Sequence, residues 1–257
     1  MIVTNEFVYI HLHRTGGSFV KELIFKKFPQ AFPDAKEIGY HFPLASLPKA
    51  YCNKPVFGFI RNPWDWYVSW YAFNTPNPRN PLFSFISKHG TLNFHDTIRN
   101  LVRIKIDATY RNKFKETVLP QLPTVIFGNR GSGITQTHMK QWLSCEDGYY
   151  SWLAKHMFNN YSHPRLEITR FEFLTNTVEK IFPRLVHNKI DIKINTLPAI
   201  NFSKHKHYVD YYNNETKKLI LEFEEDVISR FCFSFTPRRV KNTESHRYWY
   251  LYQTPSD

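Results

Sequence analysis

Cysteine is scarce in this 257-residue chain: Cys52, Cys145 and Cys232 are far apart and odd in number. That spacing excludes a disulfide framework and a zinc-binding pattern. Reduced, buried thiols are the expectation. Long apolar runs are missing too, and none approaches the length that spans a bilayer. No secretory leader precedes the first strand-like residues at Phe7. A soluble, cytoplasmic protein is therefore expected, with an excised lumenal domain as the other reading. Internal repeats are absent. Acidic residues are in the minority, 22 against 34 Lys and Arg, for a net charge of +12. The excess points to anionic partners. No nucleic-acid-binding module accompanies it, so nucleic acid is not expected among them.

What is present points first to two anion grips. Phe57-Gly58-Phe59-Ile60 reads as a buried strand, and Arg61-Asn62-Pro63 follows it. Asn62 suits a helix cap and Pro63 a first helical turn. Ser69 lies seven residues past Asn62, two turns on and roughly on the same face. Arg61 and Ser69 thus converge on one anion near a helix start, where backbone N–H groups favour negative charge. Upstream, Phe7 to Ile10 reads as another buried strand. The loop His11-Leu12-His13-Arg14-Thr15-Gly16-Gly17 comes next, and a helix opens at Ser18 with Phe19, Val20, Leu23, Ile24 and Phe28 as its apolar stripe. Glycines let the backbone approach an anion, and Arg14 supplies a fixed charge.

This second loop departs from the phosphate loop of nucleotide triphosphatases, G-x-x-x-x-G-K-[ST]. Its first glycine is missing, and its basic residue precedes the glycine pair. No acid at the end of a later strand stands out as a magnesium holder, which triphosphate chemistry normally requires. A sulfuryl donor needs no metal, because the transferred group carries less charge.

Arg14-Thr15-Gly16-Gly17-Ser18-Phe19 resembles the Lys/Arg-Thr-Gly-Gly-Thr/Ser loop of carbohydrate-type sulfotransferases. Ile60-Arg61-Asn62-Pro63 through Ser69-Trp70-Tyr71 is similar to the Arg-Asn-Pro turn and following serine of that family. Glu167 to Leu174 and the stretch from Asn201-Phe202-Ser203 to Tyr212 resemble its later elements, so the likeness runs from about residue 7 to about residue 235. The resemblance implies a PAPS-dependent enzyme (3′-phosphoadenosine 5′-phosphosulfate as donor, PAP as product) with no metal. Arg14, Thr15, Gly16, Gly17, Ser18 and Phe19 are implied at the 5′-phosphosulfate, Arg61 and Ser69 at the 3′-phosphate. It implies an α/β fold with a mainly parallel central sheet flanked by helices, in one P-loop-like sulfotransferase domain over residues 1–257. The acceptor is a hydroxyl, with a carbohydrate as first choice. An atypical P-loop kinase and a non-catalytic polyanion-binding module of the same fold are the competing readings.

In-line sulfuryl transfer needs a base for the acceptor hydroxyl and charge stabilisation at the leaving oxygen. His41, in Gly39-Tyr40-His41-Phe42-Pro43 between the two grips, is the first candidate base, and Glu37 is the reserve. Arg14 is assigned the stabilising role; unlike a lysine it keeps its proton, so it is not expected to act as an acid.

The rest of the chain gives organisation. Residues 93–118 read as helical and basic, with Arg99, Arg103, Lys105, Arg111, Lys113 and Lys115 crowded together. Such a run is ordinarily a solvated helix face; its functional reading is a rim for an acidic glycan. Glu215 to Phe231 reads as one amphipathic helix. The tail after about residue 237 reads as irregular. The 23 Phe and 15 Tyr are mostly expected in the core.

Overall fold

The structure is a computed structural model that describes residues 1–126, 133–185 and 205–236. Its strands are β1 (Ile2–Val3), β2 (Val8–Ile10), β3 (Lys36–Glu37), β4 (Val56–Ile60) and β5 (Leu166–Arg170). Its α-helices are α1 (Gly17–Glu22), α2 (Pro63–Asn74), α3 (Pro81–Ile86), α4 (Phe94–Ile106), α5 (Ala108–Val118), α6 (Gln136–Ser144), α7 (Tyr149–Met157), α8 (Leu174–Leu185), α9 (Asn214–Phe223) and α10 (Glu225–Arg230). The fold is α/β. Backbone contacts divide it into two units: one holds Met1–Asn62 and the described residues from Lys155 to 185, the other Pro63–Ala154 and the described residues up to Phe235.

All five strands belong to the first unit, in one open sheet of order β3-β1-β2-β4-β5. The sheet is mixed. Strands β2, β4 and β5 run parallel, with Tyr9 opposite Phe57 and Gly58 opposite Ile168. Strand β1 is antiparallel to both β2 and β3. The mainly parallel sheet expected from the sequence is thus confined to three strands. Every residue of β2 and β4 is buried, as their unbroken apolar runs require of strands covered on both faces.

Much of the phenylalanine content packs one face of this sheet. Phe7 meets Phe57 at 5.1 Å and Phe182 at 6.0 Å between ring centroids. Phe32 closes edge-on upon Phe182 at 5.2 Å. Val20, Leu23 and Ile24 join the same cluster, and Phe19 and Phe28 lean against it. The expected apolar stripe of the first helix is therefore its core face. Past Glu22 the helix widens into a π turn over Leu23–Lys27.

The second unit is helical. Trp66 stacks on Trp70 at 5.6 Å and on Tyr150 at 4.4 Å. Two long helices expected here are each broken at an acidic residue. At Asp107 the backbone turns extended, and the carboxylate caps α5 by accepting the Tyr110 N–H at 2.9 Å. At Glu224 the fully buried carboxylate accepts the N–H groups of Tyr150 (3.2 Å) and Ser151 (2.6 Å) and the Tyr67 hydroxyl (2.5 Å). Those two amides open α7 and have no partner within their own helix. The backbone at Glu224 leaves the helical region, with φ −106° and ψ 22°, and the run from 215 to 231 divides there into α9 and α10.

The thiol expectation is corrected: Cys52 and Cys232 are exposed, and Cys145 is half-buried. Among the described residues no helix is long and apolar enough to cross a membrane. Segment 201–203, most of the glycine-rich connection near 130, and the tail after 237 lie outside the described residues.

Candidate functional site

The expected basic turn is built at the carboxyl end of β2, where ligands gather in open α/β sheets. Arg14 has a φ of 59°, in the left-handed region, and Gly16 has a φ of 82°. Thr15 is fully buried, and its hydroxyl donates to the Leu12 carbonyl at 2.8 Å, which closes the turn. The Gly16 carbonyl then accepts from Phe19 (2.9 Å) and Val20 (3.1 Å) as α1 begins.

Both glycines are required, but by this chain's own packing. A Cβ at Gly16 would sit 2.9 Å from the Phe171 ring, besides the strain of its positive φ. A Cβ at Gly17 would lie 1.7 Å from the His11 ring. At Gly17 the space a side chain would take is filled by an imidazole. Phe19 leans on the hydrophobic cluster, and the Thr15 hydroxyl is spent inside the loop. Of the six loop residues, Arg14 and Ser18 keep the chemistry most suited to an anion.

The structure brings His41 to this loop. Its Nδ1 lies 3.0 Å from the His11 carbonyl. A carbonyl only accepts, so Nδ1 carries the proton and donates. The neutral ring then offers its lone pair at Nε2. Burial holds the His41 pKa well below the ordinary histidine value, and the neighbouring His13 and His11 push the same way. His11 is also held low, mainly by burial. At neutral pH both rings are uncharged, the state a proton acceptor needs. Glu37, the reserve candidate, stands on β3 in an ion pair with Lys21 at 2.5 Å.

Arg61 follows the last residue of β4, and its Nη1 donates to the Arg14 carbonyl at 3.2 Å. Its guanidinium lies over the Phe171 ring, 4.8 Å from the centroid. Arg14 has its pKa pushed down to about 10, by burial first and then by the Arg61 charge. Two guanidinium charges are thus held close enough to oppose each other, an arrangement that a bound anion relieves. The adjacent Asn62 N–H donates to Glu172 at 3.2 Å. Ser69 is carried by α2 in the second unit, where it is buried.

Sequence reasoning missed Tyr40, His11, Phe171 and Glu172 as parts of this site. Tyr40 had one signal, its place beside His41. His11 already stood in the loop, and Phe171 and Glu172 follow the end of β5, far from it in the chain.

The basic stretch of the second unit is mostly occupied. Arg99 pairs with Asp96 (2.8 Å) and Glu215 (2.5 Å), and Arg103 with Asp107 (2.8 Å). Lys105 donates to the Trp142 and Cys145 carbonyls, and Arg111 to those of Ile104 and Lys105. These contacts tie α4 to α5, α6 and α9.

Among the described residues no group of three His, Cys, Asp or Glu side chains is arranged to hold a metal ion. Searches of family models, curated proteins and solved structures returned no match to this chain.

Proposed function

We propose that the chain is a PAPS-dependent sulfotransferase of P-loop-like architecture, acting on an acceptor hydroxyl, with a carbohydrate as first choice. One observation carries the reading. Two arginines from the carboxyl ends of neighbouring parallel strands, Arg14 and Arg61, converge beside a histidine whose Nδ1 proton is fixed on a carbonyl. An anion-binding pair next to a neutral base is what transfer from an anionic donor to a hydroxyl requires.

The residues present fit such a donor. Arg14 and Arg61 supply charge, and Ser18 supplies a hydroxyl. Bound PAPS supplies an electrophilic sulfuryl group on a phosphate leaving group. His41 Nε2 takes the acceptor proton as the acceptor oxygen bonds to sulfur and the sulfur–phosphate oxygen bond breaks. Arg14 stabilises the negative charge left on that phosphate oxygen. It remains protonated throughout, since a pKa near 10 lies well above neutrality.

Titration calorimetry with PAP, and separately with ATP and magnesium, tests the reading. Binding of PAP without metal is the expected result. ATP–magnesium binding with none for PAP would replace it with a kinase.

A further inference from the structure

The Tyr40 hydroxyl lies 2.9 Å from Ser18 Oγ. No sequence spacing foretells this contact, which joins residues 22 positions apart. The phenol is held from several sides. Its ring packs edge-on against His11 (4.6 Å, 76°) and against His41 (4.6 Å, 77°). The Lys21 ammonium stands 5.4 Å from its centroid and is itself fixed by Glu37. The phenol ring is thereby held by three neighbours, His11, His41 and Lys21.

A phenol is a much stronger acid than an aliphatic alcohol, and so the better donor of the two. With Tyr40 donating to Ser18 Oγ, the serine proton is turned away from Tyr40. Donation into its oxygen also polarises the serine O–H, because linked hydrogen bonds reinforce one another. Ser18 follows directly on the Arg14–Gly17 turn, so this proton is available on the loop that carries Arg14.

We propose that Tyr40 is a positioning residue that acts through Ser18: it orients and strengthens the serine hydroxyl as a donor to the 5′-phosphate end of the bound nucleotide. The inference rests on the donor reading above. One dipeptide then serves both halves of the reaction, with His41 as base for the acceptor and Tyr40 as support for the donor grip.

A double-mutant cycle tests it, with PAP affinity measured by calorimetry in wild type, Tyr40→Phe, Ser18→Ala and the double variant. Phe keeps every ring contact of Tyr40. The expected loss for Tyr40→Phe is about 3- to 10-fold in Kd, the size of one neutral hydrogen bond. In the Ser18→Ala background the same change is expected to have no effect, because its route is gone. A merely structural tyrosine would lose the same factor in both backgrounds, and that result overturns the proposal. So does unchanged affinity in Tyr40→Phe. Absence of PAP binding by the wild type overturns the donor reading itself, and is distinct from either. Should Tyr40→Phe fail to fold, Tyr40→Met is held to the same two criteria.

Discussion

His13 lies face to face on His41, with ring centroids 3.6 Å apart and planes 10° from parallel. Two imidazolium rings at that distance repel, so the stack disfavours the charged form of His41, as burial already does. The pH–rate profile of sulfuryl transfer should therefore have its acid limb below pH 6.5. His13→Phe keeps the stacked ring and removes a titratable neighbour, and should move that limb upward. An unmoved limb would assign the low pKa to burial and His11 without His13.

His41→Ala separates binding from chemistry. Loss of a positioned base costs about 100- to 10,000-fold in turnover. PAP affinity should fall by no more than the about 3- to 10-fold expected for loss of the Tyr40 contact, because His41 holds no donor charge in the proposed mechanism. Single-turnover rates and calorimetry read the two quantities separately. A variant with full turnover would remove His41 from the mechanism.

Arg61 should behave in the opposite way. It supports the loop through the Arg14 carbonyl and contributes one of the two opposed charges. Arg61→Ala should weaken PAP binding about 10- to 100-fold, the range of charge-assisted hydrogen bonds. Arg61→Lys should recover little of this, because an ammonium cannot both lie flat over Phe171 and donate to Arg14. Equal affinity in Arg61→Ala would sink the two-cation grip.

How far the sequence reaches is visible in particular residues. Strands β2 and β4 were legible because unbroken apolar runs bounded by loops carry a strong signal. Strands β1 and β3 have two residues each, and two residues carry no period. The loop and Arg61 were legible as chemistry. The packing reason for Gly17 was not: the His11 ring fills the space that a Cβ would take. The break at Glu224 was hidden because Leu219, Ile220, Phe223, Val227, Ile228 and Phe231 keep one apolar rhythm across it. Glu224 falls on that same face, four residues from both Ile220 and Ile228. Its partners Tyr67, Tyr150 and Ser151 are what only the structure reveals.

Glu224 gives the last prediction, on stability against pH. Its carboxyl is pushed up from 4.5 to about 7, by burial above all; its hydrogen bonds with Tyr67, Ser151 and Tyr150 oppose the shift without cancelling it. The folded pKa is raised, so the folded state binds the proton more tightly than the unfolded one. Its contribution is fully present below about pH 4.5 and is lost as pH rises through 7. The shift corresponds to at most about 3 kcal/mol. The lowered pKa values of His11 and His41 act in the reverse sense, since stability from a neutral buried histidine is lost as pH falls. The raw melting curve therefore mixes two opposed slopes, and the difference between wild type and Glu224→Gln isolates one. Glutamine keeps a carbonyl oxygen for the α7 amides and has no proton to lose. Its stability relative to wild type should rise between pH 5 and pH 8. Glu224→Ala, which leaves those amides and the Tyr67 hydroxyl without an acceptor, should be less stable than Gln at every pH. Thermal unfolding followed by circular dichroism measures all three proteins, and parallel pH profiles for wild type and Gln would show that Glu224 stays ionised in its buried seat.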